Sequence, residues 1–129
     1  MRQLISFILS FGLTSAIAHA QATPIHEQVI HVSSSQSSFE LSLPANPTTG
    51  FNWQVSSLDS TKIKLVKSVY TPASASKHLV GGGGIMHFYF TVLPKLQRPT
   101  STKIELIYVR PWEKVQPAQT RRWVIDIQA

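Results

Sequence analysis

The side chains that most often carry out chemistry are scattered through this sequence. No HExxH or similar metal-binding spacing joins the four histidines that follow the amino-terminal segment, which are His26, His31, His78 and His87. Serine is plentiful, yet there is no GxSxG nucleophile motif, and the only aspartates are Asp59 and Asp126. Cysteine is absent, which excludes disulfides, thiolate zinc sites and a cysteine nucleophile. We therefore interpret each histidine as an unpaired surface residue, and we expect no enzyme, no metal and no cofactor.

Four consecutive glycines, Gly81 to Gly84, could form a phosphate-binding loop. Such a loop needs a Lys and then a Ser or Thr directly after the glycines, followed by a helix. Here Ile85, Met86 and His87 follow and begin a strand pattern, which excludes nucleotide binding. Two interpretations remain: a flexible connector, or a segment whose backbone approaches a binding partner closely and pairs with it.

A second motif, Asn46 to Gly50 (NPTTG), lies between two strand patterns. Pro47 fixes its own φ at about −65° and favours an extended Asn46, while Gly50 can supply a positive φ. These constraints predict a stiff, uncharged tip that carries Thr48 and Thr49, although an ordinary turn has the same sequence features. A stiff loop loses little entropy on docking, so this motif is a candidate contact site.

A third motif, Arg110-Pro111-Trp112, follows a strand pattern that Pro111 ends. Trp and Arg are enriched at binding hot spots, so an exposed Trp112 is a candidate contact residue. Trp53 and Trp123 differ from it because they alternate with inward-facing residues, and we predict that both belong to the core. The alternative for Trp112 is that it folds back over the edge of the domain.

Seven short strand patterns must position these motifs. Apolar and polar residues alternate over 25–32, 38–43, 51–57, 63–69, 85–93, 103–109 and 121–128. The predicted inward residues are Phe39, Leu41 and Leu43; Phe51, Trp53 and Val55; Ile63, Leu65 and Val69; Met86, Phe88, Phe90 and Val92; Ile104, Leu106 and Tyr108; and Trp123, Ile125 and Ile127. Clusters of Pro, Ser and Gly separate the strands. This pattern is typical of an all-β protein, an immunoglobulin-like antiparallel β-sandwich of about seven to eight strands, here without a disulfide.

The order of the strands sorts the connecting loops into two sets. If each of seven strands crosses the sandwich once, the second, fourth and sixth connections lie at the same end. These connections contain the NPTTG motif, the glycine run and the RPW motif, whereas the other connections are ordinary polar turns. Since loops held side by side on a rigid scaffold commonly carry the binding residues, we predict a binding edge rather than a catalytic pocket.

Residues 1–20 have the order of a secretory signal peptide. Arg2 precedes the apolar stretch Leu4 to Leu13, and the segment closes with the small-residue pattern Ala18-His19-Ala20. An uncleaved membrane anchor is the alternative, but hydroxyl residues dilute the apolar stretch. We therefore expect a mature chain of residues 21–129, secreted or periplasmic, with no membrane contact after cleavage.

The length and the charge limit the choice of partners. The 129 residues allow one domain, and 12 Lys and Arg against 6 Asp and Glu give a formal net charge of +6, which loss of Arg2 would lower by one. The basic residues are scattered, and only Arg121 and Arg122 are adjacent. We expect no nucleic-acid binding and a solvated surface with a mild preference for acidic protein partners.

The three motifs, in this order on a small exported β chain, resemble the chagasin family of cysteine-protease inhibitors. The resemblance rests on NPTTGFNW (Asn46 to Trp53), on GGGG (Gly81 to Gly84) in the place of a GxGG motif, and on RPW (Arg110 to Trp112). It covers residues 21–129 in strand layout and loop order. It implies an immunoglobulin-like domain that reversibly inhibits papain-family proteases by occluding the active-site cleft, and that is not an enzyme.

The resemblance also implies which residues contact the protease. They are Asn46, Pro47, Thr48, Thr49, Gly50, Gly81, Gly82, Gly83, Gly84, Arg110, Pro111 and Trp112. Thr48 and Thr49 would enter the cleft and face the Cys and His of the protease. The glycine run would pair along the non-primed side, and Trp112 would pack on the primed side. The alternative function is an immunoglobulin-like adhesion or carbohydrate/protein-binding module that uses the same loops. We expect a monomer.

Overall fold

The computed structural model describes residues 25–73 and 82–129, together with Gly12. Within these residues it contains the strands β1 (His26–Val32), β2 (Ser38–Ala45), β3 (Asn52–Leu58), β4 (Ile63–Pro72), β5 (Gly84–Val92), β6 (Thr100–Val109) and β7 (Gln119–Ile127). A short 3-10 helix, Pro47–Thr49, lies between β2 and β3. Gly81, His78 and the predicted signal peptide apart from Gly12 lie outside the described residues. None of the described helical segments is long and apolar enough to cross a membrane.

The strands form a sandwich of two sheets, with the orders β1-β7-β6-β3 and β2-β5-β4. Four of the strand pairs are antiparallel. The pair β1 and β7 is parallel, with His26 level with Arg121 and Val32 level with Ile127. This direction follows from the connectivity, because a first and a seventh strand that each cross the sandwich once run the same way. The predicted all-β, immunoglobulin-like sandwich is confirmed, and the parallel pair lies at one edge of it.

The core lies between the sheets and contains the predicted inward residues except Val69 and Phe51, and Phe51 instead stacks on Tyr108 as a half-buried residue before β3. Its most deeply buried large side chains are Phe90, Leu43, Ile63, Ile104, Leu106, Ile125, Ile127 and Val32. Phe39 on β2 stacks on Phe90 of β5, with ring centroids 5.3 Å apart. Each buried large apolar side chain contributes about 1.5–3 kcal/mol, so the packed interior stabilises the sandwich without a disulfide. Trp53 and Trp123 are buried, as predicted.

The prediction that Val69 faces inward is wrong. The pairing of β4 with β5 shifts between Leu65 and Lys67, which leaves Val66 as an extra residue in a β-bulge. Beyond the bulge every side chain of β4 changes face, because the side-chain period of a strand is two residues. Val69 is therefore 41% exposed, and Tyr70 packs against the core in its place.

The loops lie at the two ends of the sandwich in the predicted sets. At one end the Arg98 guanidinium donates to the carbonyl oxygens of Ser33 and Gln36, at 3.0 and 2.9 Å. At the same end the Leu93 N–H donates to the Lys62 carbonyl at 3.0 Å, so the first, third and fifth connections are joined. The β2–β3 loop, the β6–β7 loop and the described ends of the β4–β5 loop (Ala73, Gly82 and Gly83) lie at the other end, and we call this end the loop rim.

Candidate functional site

The β2–β3 loop is a compact turn that its own backbone closes. Asn46 is extended, with φ −139° and ψ 87°, and Gly50 is left-handed, with φ 82° and ψ −10°, as the sequence predicts. The Gly50 N–H donates to the Pro47 carbonyl at 3.0 Å, and the Thr49 N–H donates to the Asn46 carbonyl at 3.2 Å. The tip is therefore a single 3-10 turn rather than an extended segment.

The two threonine hydroxyls of this turn bond within the loop. Thr48 Oγ1 donates to Asn46 Oδ1 at 2.6 Å, and Thr49 Oγ1 donates to the Asn46 carbonyl at 2.7 Å. Both threonines are nevertheless exposed at the tip. Asn46 thus stabilises the turn with its side chain as well as with its backbone.

Arg110 joins the β6–β7 loop to the β2–β3 loop. Its Nε donates to the Thr49 carbonyl at 3.0 Å, and its Nη1 lies 3.0 Å from the Glu113 carboxylate. Its guanidinium also lies over the ring of Phe51, 4.3 Å from the centroid, which is a cation–π distance. Sequence reasoning missed Glu113; its position three residues after Arg110, in a turn, is the signal that could have found it.

Aromatic side chains support the base of the β2–β3 loop. The ring of Tyr108 stacks on Phe51 at 5.2 Å and tilts against Trp53 at 4.8 Å. The Tyr108 hydroxyl accepts a hydrogen bond from the Asn46 N–H at 3.1 Å, and Trp53 Nε1 donates to the Pro44 carbonyl at 2.9 Å. Tyr108 and Trp53 were predicted as core residues only, and they also fix the backbone that leads into the tip, at Asn46 and Pro44.

Trp112 combines the two alternatives that the sequence left open. Its side chain is 69% exposed, which makes it available to a partner. Its indole also packs on the β2–β3 loop, because a Cβ at Gly50 would overlap Cη2 and stand 3.0 Å from Cζ2. Glycine at position 50 therefore permits both the positive φ of the turn and the close approach of the Trp112 indole.

The described part of the glycine run pairs within the protein. Gly84 is the first residue of β5 and lies opposite Ala45 and Pro72 in the sheet. A Cβ at Gly84 would overlap the Thr71 carbonyl oxygen, so glycine is required there by a neighbouring strand. The Gly83 carbonyl accepts a hydrogen bond from the Ala73 N–H at 3.2 Å, which continues the ladder to the base of the loop. At Gly83 and Gly84, the backbone that approaches closely therefore belongs to neighbouring strands of this protein and not to a binding partner.

A shallow groove of about 320 Å³ lies at the loop rim. Asn46 of the β2–β3 loop and Gly83 of the β4–β5 loop line it, together with Tyr108 and Gln119 from the strands beside the β6–β7 loop. The predicted contact residues of the described chain thus lie together at one end of the sandwich. Gly81 lies outside the described residues.

The interpretation of every histidine as unpaired is wrong for His31 and His87. His31 Nδ1 lies 2.8 Å from Asp126 Oδ2 across the β1–β7 pair. His87 Nδ1 contacts Glu40 Oε1 and lies 3.1 Å from Ser42 Oγ. The hydrogen bonds from His87 and then from Ser42 hold the pKa of Glu40 below its ordinary value of 4.5. Over residues 25–73 and 82–129, no three metal-ligating side chains cluster.

Comparisons with known proteins agree on one family. The family model "Chagasin family peptidase inhibitor I42" matches residues 33–127. Chagasin of Trypanosoma cruzi is 34% identical over 77 residues, which cover 57% of this chain and 64% of chagasin, so the match spans less than two thirds of that relative.

Two solved structures share the fold. A cysteine protease inhibitor from Entamoeba histolytica superposes with a TM-score of 0.60 at 20% identity, over 81% of this chain and 100% of that chain. Amebosin, solved in solution, superposes with a TM-score of 0.58 at 24% identity, over the same 81% and 100%. Because the family model extends from the first loop through the last strand, this chain belongs to the chagasin family of peptidase inhibitors, whose members are inhibitors and not enzymes.

Proposed function

We propose that this protein reversibly inhibits papain-family cysteine proteases by inserting its loop rim into the active-site cleft. Family membership and the named activity of the Entamoeba histolytica inhibitor support a cysteine protease as the partner. The observation that carries the proposal is the bond from Arg110 to the Thr49 carbonyl, which joins two loops before a partner arrives. Preformed loops lose less conformational entropy on binding, so they can bind tightly without covalent chemistry.

Each loop has a separate role in this proposal. The turn with Thr48 and Thr49 enters the cleft and faces the catalytic Cys and His of the protease. In the glycine run, Gly81 and Gly82 pair along the non-primed side, whereas Gly83 and Gly84 form the base of that loop within the protein. Trp112, positioned by Arg110 and Pro111, packs on the primed side. A wedge of three loops buries about 800 Å² on each partner, the usual size for a protease–inhibitor pair.

The proposal also concerns where and in what form the protein acts. The signal-peptide pattern of residues 1–20 supports export, so residues 21–129 would meet their target as a secreted or periplasmic protein. We propose that they act as a monomer, because the loop rim alone supplies a contact surface of sufficient size.

Titration of papain with residues 21–129 tests this function. With a fluorogenic substrate, activity is expected to fall to baseline near one-to-one stoichiometry and to return on dilution, because no covalent bond forms. Lys95→Ala is a suitable control, since this exposed residue lies in the β5–β6 loop at the opposite end. Undiminished papain activity at excess protein would contradict the proposal, and failure to recover on dilution would contradict its reversible mechanism.

A further inference from the structure

The β6–β7 loop exposes two large apolar side chains that lie three positions apart. Trp112 and Val115 are each 69% exposed, the highest values among the large hydrophobic residues of the described chain. Trp112 belongs to the RPW motif, whereas Val115 belongs to no motif of the sequence. Two such exposed side chains in one short loop are candidate contact residues, because exposed apolar residues that cluster mark interaction sites.

This loop is held in a defined shape at both ends. The Glu113 N–H donates to the Arg110 carbonyl at 3.0 Å, and the Glu113 carboxylate lies 3.0 Å from Arg110 Nη1. At the other end the Ala118 N–H donates to the Tyr108 carbonyl at 3.0 Å. Residues 114–116 between these anchors are all exposed. Val115 is therefore presented from a fixed frame, which favours its use as a contact residue.

The charge of the loop is carried by Lys114. The positive charge of Arg110 is paired with Glu113. Lys114 is exposed and has no carboxylate partner among the described residues. Glu113 is the only acidic residue of residues 46–51, 82–83 and 110–118. The described loop rim thus has one uncompensated positive charge, and it stands between two apolar side chains in the sequence.

We propose that Trp112, Val115 and Lys114 form one contact surface that selects papain-family proteases with an apolar patch edged by a carboxylate beside the cleft. The inference rests on the proposed function and adds the chemistry of the preferred target. Val115 is a second apolar anchor next to Trp112. Lys114 lies at the border of the apolar contact, where a charge mainly changes the association rate and the choice of partner.

Two variants with matched controls test this surface. Val115→Ala is compared with Val66→Ala, a change of the same size at a 58% exposed valine of β4. Lys114→Glu is compared with Lys64→Glu, which makes the same charge change at an exposed position of β4. Inhibition constants and association rates are measured against papain and against a papain-family protease of net negative charge. Urea unfolding verifies that each variant is folded.

We expect Val115→Ala to raise the inhibition constant about five- to tenfold, as loss of a buried apolar contact does. Lys114→Glu is expected to slow association with the acidic protease about tenfold at low salt, an effect that salt reduces. Each control is expected to change these quantities less than about twofold.

The outcomes separate this inference from the function on which it rests. If the unmodified protein inhibits but Val115→Ala behaves like Val66→Ala, or Lys114→Glu slows association no more than Lys64→Glu, this inference alone is overturned. If the unmodified protein inhibits neither protease, the proposed function is overturned and the inference with it.

Discussion

The indole of Trp112 occupies the space into which a side chain at Gly50 would project. The tip of the β2–β3 loop and the exposed aromatic of the β6–β7 loop are therefore in direct contact. Arg110 makes the second link between the same two loops. Together these contacts predict that a change in one loop alters the position of the other.

Gly50→Ala tests this coupling at its tightest point. Alanine at φ 82° is strained, and its methyl group must displace the Trp112 indole. We expect a loss of about 1–2 kcal/mol in the free energy of unfolding from the left-handed backbone alone. Inhibition should weaken as well, because Trp112 has to move.

Urea unfolding and inhibition constants measure the two effects of Gly50→Ala. Lys95→Ala is the control, since it introduces an alanine at an exposed position of the β5–β6 loop, at the end of the sandwich opposite both loops. If Gly50→Ala has the same free energy of unfolding and the same inhibition constant as the unmodified protein, the two loops are independent.

Trp112→Ala should weaken inhibition strongly and leave the fold intact. Because 69% of the side chain is exposed, its removal costs little in the folded protein alone. Truncation of a hot-spot residue costs about 2–4 kcal/mol of binding free energy. The inhibition constant against papain measures this loss, and the urea midpoint verifies the fold. An unchanged inhibition constant would show that Trp112 only covers Gly50.

Arg110→Ala should weaken inhibition by releasing the turn at Thr49. The pair Arg110–Glu113 is partly exposed, so we expect less than about 1 kcal/mol of lost stability. We expect about a tenfold rise in the inhibition constant, because the tip gains freedom that binding must remove. Glu113→Gln should have a smaller effect, since Arg110 keeps its hydrogen bond to the Thr49 carbonyl and its contact with Phe51. Equal effects of the two substitutions would contradict the role of Arg110 as the link.

The turn at Pro47–Thr49 should resist cleavage by the protease that it blocks. Attack requires a carbonyl to reach about 3–3.5 Å from the nucleophile in an extended pose, and this 3-10 turn is closed by backbone and side-chain bonds. Mass spectrometry after prolonged incubation with excess papain should find an intact chain through residues 46–50. Rapid cutting within those residues would refute this explanation.

Stability should fall on acidification partly through Glu105. Hydrogen bonds from Arg122 and then from Ser56 hold the pKa of Glu105 below its ordinary value of 4.5. A lowered pKa in the folded state stabilises the protein above the unfolded-state value, and this contribution is lost as pH falls through the folded-state value. Urea midpoints between about pH 5 and pH 3 should therefore fall less steeply for Glu105→Gln than for the unmodified protein. If the urea midpoints of Glu105→Gln and of the unmodified protein fall equally steeply with pH, this role of Glu105 is contradicted.

Strand faces and loop placement could be predicted because they depend on local rules. Alternation with period two identifies buried residues such as Leu43 and Ile125, and strand order determines which loops share an end. The bulge at Val66 could not be found this way, since no Gly or Pro marks it and its position depends on pairing with β5. One extra residue was enough to move Val69 to the outer face.

The contacts that stabilise the candidate site also could not be predicted from the sequence pattern. The bond between Arg110 and Thr49 joins residues 61 positions apart, and only the packing of two loops brings them together. The contact of His87 with Glu40 likewise depends on the register of two strands. The three motifs identified the loops, whereas the links between them depend on tertiary packing.

The parallel pair of β1 and β7 has a consequence for how the chain folds. In its sheet β1 neighbours β7 alone, and the contact of His31 with Asp126 spans 95 positions. During synthesis β1 emerges first, yet it must wait for Ile127 before its backbone ladder can form. Long closures of this kind slow folding, because loop entropy is lost before any contact compensates for it. The four-stranded sheet can therefore be completed only after β7 has been synthesised, although β1 is the first of its strands to be made.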